Sequence, residues 1–104
     1  MSTNDQMGEF ITLDEASQMT ARYRATIQPG ETIAYAISKD FISRILNQND
    51  CEGLRIYYGK NNLGETTLVV TGINENKDDM YTGLIADGMV ICPVDCGITS
   101  PLNS

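Results

Sequence analysis

The sequence predicts a single α+β domain, with two helices packed on a small, mainly antiparallel sheet that has a β-hairpin at its centre. Three observations lead there. Two short segments carry apolar residues at helical spacing behind clear N-caps. Two runs rich in β-branched and aromatic residues flank a polar, glycine-containing loop. The chain has 104 residues, 41% of them apolar and 20% charged, which suits one globular domain rather than a disordered chain.

Thr12-Leu13-Asp14-Glu15 matches a capping box, so a helix is expected from there to about Arg24. Leu13, Ala16, Met19 or Thr20, and Tyr23 fall on one stripe, which should face the core. Asp14 and Glu15 at the start, and Arg22 and Arg24 near the end, complement the helix dipole. Pro29-Gly30 marks a turn, and Ile33 to Ile37 has a strand-like composition interrupted by alanine. Ser38 should cap a second helix, Lys39 to Asn47, with Phe41, Ile42, Ile45 and Leu46 inward and an Asp40–Arg44 pair outside.

The hairpin follows. Leu54 to Tyr58 and Thr66 to Ile73 flank Lys60-Asn61-Asn62-Leu63-Gly64. Asn74 to Asp79 is a polar loop, and a last short strand is expected near Met89 to Ile91 after an Asp87-Gly88 turn. Polar tails are expected at about residues 1–10 and 99–104, with no internal repeat between them.

One hairpin face carries Leu54, Ile56, Tyr58, Leu68 and Val70. The other carries Arg55 and Tyr57 with Thr67, Val69, Thr71 and Ile73. A small antiparallel sheet usually covers one face and leaves the other polar, yet Tyr57, Val69 and Ile73 make the second face mixed. These three residues are therefore the candidate partner-binding surface, for another protein or a second copy of the chain. The competing cover is the C-terminal segment with Ile91, Val94 and Ile98.

Charge narrows the function classes. The net charge of −7, with seven basic residues and none after Lys77, argues against nucleic acid and against an anionic membrane surface. No apolar run is long enough to span a bilayer, and Met1 to Glu9 lacks the basic start and apolar run of a secretory signal. A cytoplasmic location with reduced thiols is the resulting expectation, and an odd count of three cysteines agrees with it.

The chain contains no histidine, so it has neither a Ser–His nor a Cys–His nucleophile pair, and an enzyme is not expected. Asn74 to Asp79 has oxygen side chains in a calcium-loop order. It lacks the glycine at the sixth place, where Asp79 stands, and the glutamate at the twelfth, where Ile85 stands, so a solvated turn explains it better. No cofactor is expected, with one exception to weigh at the cysteines.

Cys92-Pro93-Val94-Asp95-Cys96-Gly97 puts two sulfurs four residues apart in a segment suited to a tight turn. That turn could join them in a disulfide, pack them as small hydrophobes, or present them to a metal. Zinc would need Cys51 as a third ligand and a carboxylate such as Asp50, Asp87 or Asp95 as the fourth, an atypical set.

The segment Cys51-Glu52-Gly53-Leu54-Arg55-Ile56-Tyr57-Tyr58-Gly59-Lys60, then Thr67-Leu68-Val69-Val70, then Cys92-Pro93-Val94-Asp95-Cys96, resembles small uncharacterised bacterial proteins, mostly from Bacteroidetes. They share a Cys-x-Gly-x-Arg-Ile-Tyr strand and a terminal Cys-Pro-x-x-Cys. The resemblance covers about the last half of the chain and brings no activity with it. It implies that Cys51, Cys92 and Cys96 belong together as a feature. A protein-binding or adaptor module is thus the first functional expectation, a thiol or metal site the second, and a small enzyme the third.

Overall fold

A computed structural model describes residues 7–104. Helix α1 spans Leu13–Arg24, strand β1 Ala34–Ala36, helix α2 Lys39–Leu46, β2 Gly53–Lys60, β3 Thr66–Ile73, β4 Ile85–Ala86 and β5 Val90–Cys92. The α+β class and the central hairpin are as the sequence predicts. The strands form two antiparallel sheets, one of β1 and β5 and one in the order β2-β3-β4.

Both helices start where their caps dictate. Thr12 Oγ1 accepts from Glu15 N at 3.1 Å, and the Glu15 carboxylate accepts from Thr12 N at 3.2 Å, which completes the box. Ser38 Oγ accepts from Phe41 N at 3.3 Å at the head of α2. Their packing differs. α2 lies on the β2-β3-β4 sheet and buries Ile45, whereas α1 contributes no buried residue. The stripe of Leu13, Met19 and Tyr23 stays more than half exposed, so α1 adds little to the core.

The buried core is small: Ile45, Val70, Thr71, Ile73 and Cys92 among side chains. At Gly72 the sheet and α2 come closest, since a Cβ there would lie 2.9 Å from Cys51 Sγ and 3.4 Å from Ile45 Cγ2. Gln48 reinforces that seam. Its Nε2 donates to Ile45 O at the end of α2, and its Oε1 accepts from Leu84 N beside β4, both at 2.9 Å.

The hairpin turn is built by Asn61, whose Oδ1 accepts from both Leu63 N and Glu65 N at 2.9 Å. Gly64 closes it at φ +81°, a left-handed conformation that favours glycine. After β3, Asn74 Oδ1 accepts from Asn76 N and Asp78 N, so the calcium-like loop is a side-chain-bonded turn that returns Asp79 to pair with Ile73. At the end of the chain Arg24 donates to the carbonyls of Leu102 and Ser104, which fastens the expected polar tail to the end of α1.

Candidate functional site

Register decides which side chains share a face. Ile56 opposes Val70, Tyr58 opposes Leu68, and Leu54 opposes Gly72. This face lies against α2 at the Gly72 end. At the other end it opens onto a cleft of about 1200 Å³, whose far wall is β1, β5 and the turn after β5. Tyr35 spans the gap by donating its hydroxyl to Thr66 O at 2.9 Å. Ile56 is 56% exposed and Tyr58 88% exposed, far more than residues on the helix-covered face of a sheet would be if the cover were complete.

The opposite face holds the three residues expected to bind a partner. Tyr57 is 44% exposed and Val69 half-buried, but Ile73 is only 2% exposed and leaves that surface. The reason is local. The Asn74–Asp79 turn folds back on the end of β3, and Glu52 N donates to Ile73 O at 2.8 Å. The C-terminal segment does not cover this face in its place. It pairs with β1, and Val94 and Ile98 project into solvent.

A polar cluster sits on the same face. Arg55 Nη1 donates to Asp79 Oδ1 at 2.7 Å and to Lys77 O at 3.0 Å, and the Tyr57 hydroxyl donates to Asp79 Oδ2. Arg55 thus pairs with Asp79 and not with its sequence neighbour Glu52. The Tyr57 and Arg55 hydrogen bonds hold the Asp79 carboxyl below its ordinary range, and the same carboxylate pushes the Tyr57 phenol up. These hydrogen bonds tie the end of the Asn74–Asp79 loop to β2.

Linkage gives a pH signature. A depressed Asp79 favours the fold above the ordinary carboxylate range near 4 and loses that contribution as pH falls through the lowered value. A raised Tyr57 favours the fold below about 10 and loses it as pH rises through the raised value. The Asp79→Asn variant is expected to unfold with a flatter acid limb than the parent when urea midpoints are compared between pH 5 and pH 2 (about one unit either side of the carboxylate range). Parallel acid limbs would show that Asp79 gains nothing from its partners.

The cysteines resolve differently from a metal set. Cys92 and Cys96 are joined in a disulfide with their Cα atoms 4.6 Å apart. Cys51 carries a free thiol that donates to Gly53 O at 3.3 Å and packs beside Gly72 under α2. Two of the three expected zinc thiolates are spent on each other, and among the described residues no three Cys, Asp or Glu side chains gather as metal ligands. The turn itself is as compact as its sequence implies, with Asp95 N donating to Ile91 O at 3.0 Å and Gly97 leaving it at φ +71°. Cys92 is buried at the foot of β5, which suits a cross-link that holds the C-terminal turn.

Asp79 and Gln48 were not legible as positioning residues. Asp79 lies in a loop whose acidic neighbours look alike, and only the strand register brings it under Arg55. Among the described residues, no helix is long and apolar enough to cross a membrane. Compared with protein-family models, curated proteins and solved structures, the chain matches none.

Proposed function

We propose that this chain is a small protein-binding module that completes its own core with another polypeptide. One observation carries the reading. The chain exposes 8121 Å², whereas a monomer of 11.4 kDa is expected to expose about 5,800 Å². The six residues outside the described range account for at most about 1,000 Å² of the difference at unfolded-chain values. About 1,300 Å² of surplus surface is left, more than the roughly 800 Å² per partner of a standard protein interface. Much of it is apolar: Ile56, Tyr58, Val90 and Val94 all line the cleft and all are exposed. Exposed apolar side chains gathered along one cleft of a folded chain mark an interaction surface.

The binding surface in this reading lies on the β2 edge and the cleft face. Tyr57 and Val69 remain at its margin, without Ile73. The Cys92–Cys96 bond favours an oxidising compartment over the cytoplasm for this work.

Native mass spectrometry combined with small-angle scattering tests the proposal. A folded particle heavier than 11.4 kDa is the expected result, with 11.4 kDa in the denatured control. A monomer whose radius of gyration contracts from 15.6 Å to the roughly 13 Å of a close-packed 104-residue chain would contradict it, because the chain would then close its own cleft.

A further inference from the structure

The edge of β2 carries more information than its faces. Asn61 N donates to Glu65 O, and the two residues continue the register of the β2–β3 ladder. Hydrogen-bonded pairs alternate along an antiparallel ladder, so Gly59, Tyr57 and Arg55 bond toward β3. Leu54, Ile56, Tyr58 and Lys60 therefore point their N–H and C=O groups the other way. Among the described residues no strand pairs with that edge.

An eight-residue edge with free amides is a template for another strand. Natural edges are usually guarded by an inward charge, a proline or a covering loop. Here the central outward-bonding residues are Leu54, Ile56 and Tyr58, and the only charge among the four is Lys60 at the end. Their side chains also lie on the face that opens onto the cleft, so whatever pairs with the edge also covers apolar surface.

We propose that β2 pairs antiparallel with β2 of a second copy of this chain, about a two-fold axis at Ile56. This deepens the binding-module reading and rests on it. The register follows from the residues. With the axis at Ile56, Ile56 faces itself and Leu54 faces Tyr58 of the second copy, which gives three hydrogen-bonded pairs on the outward-bonding residues. Glu52 of each copy comes to the Lys60 end of the other, so opposite charges meet at both ends of the ladder. An axis at Arg55 would set two guanidinium groups against each other. An axis at Tyr57 would set Lys60 against Leu54. The paired sheet runs through six strands, and Ile56 and Tyr58, exposed in the single chain, are covered along the new ladder.

Position 56 facing itself gives a test that depends on register. Wild-type protein is expected to sediment at twice 11.4 kDa. Ile56→Lys alone and Ile56→Glu alone each place like charges across the axis, so each is expected to weaken self-association tenfold or more. An equimolar mixture of the two is expected to restore a dimer. Neither substitution removes a bond to β3, and circular dichroism like the wild type's, with urea midpoints that rise together when the two variants are mixed, checks the fold. Variants that self-associate like the wild type, or a mixture that stays monomeric, would overturn the axis at Ile56. A wild-type monomer that keeps a radius near 15.6 Å would overturn the second copy as partner while leaving the surface open to a different protein. One that contracts to about 13 Å would overturn the binding-module reading as well.

Discussion

Ile45→Ala is expected to lower the unfolding free energy by about 2–5 kcal/mol, the range for truncating a fully buried branched side chain. Ile45 is 2% exposed and is the only buried residue of α2. It sits where α2 meets Gly72, so its loss leaves a cavity at the seam between α2 and the sheet. The core holds few other side chains to share the strain, and domains of this size have about 5–15 kcal/mol in total. A urea titration that shows a loss under about 1 kcal/mol would mean that α2 is not what holds the sheet.

The opposite change at the same seam is expected to destabilise too, by a smaller amount. Gly72→Val adds three carbons where the first alone would lie 2.9 Å from Cys51 Sγ and 3.3 Å from Gln48 Nε2. Replacing glycine in a strand restricts the unfolded chain, a gain of about 0.4–1 kcal/mol. Overpacking a filled site costs about 1–3 kcal/mol and wins. The partners are named, so a double-mutant cycle distinguishes a clash from a general intolerance of the position. Adding Cys51→Ala to Gly72→Val is expected to recover part of the loss, a coupling that independent sites do not show. Additive losses would place the clash elsewhere.

These two residues also show which parts of the structure were legible. Ile45 could be read from spacing, but of the residues expected inward beside it Phe41 and Leu46 are exposed and Ile42 is half-buried, so spacing overstated the face that α2 buries. The hairpin could also be read, since β-branched runs around an Asn-rich, glycine-closed loop have few other solutions. The closeness at Gly72 was not legible. It depends on how α2 is set against β3, which no local pattern specifies.

The same limit applies to the α1 stripe, which has helical periodicity and yet faces mostly open space. Periodicity reports that a helix has an apolar side. It does not report that the chain supplies something to cover it. On the hairpin, Ile73 of the expected Tyr57, Val69 and Ile73 surface is buried and offers nothing to a partner there. Alternation correctly placed all three on one face, but the turn that buries Ile73 and recruits Asp79 is set by Asn74 and not by hydrophobicity. The edge was missed because side-chain patterns describe faces, whereas an unpaired edge belongs to the backbone.

Amide hydrogen exchange along β2 tests most directly whether another polypeptide covers that edge. Arg55 and Tyr57 bond inward to β3, so their amides should be protected in any folded state of the chain. Protection of Leu54, Ile56 and Tyr58 to a similar degree is the result this account expects, because their N–H groups would be paired across the two-fold axis. Slow exchange at Arg55 and Tyr57 alternating with unprotected exchange at Ile56 and Tyr58 would contradict it, and would leave β2 an open edge on a single chain.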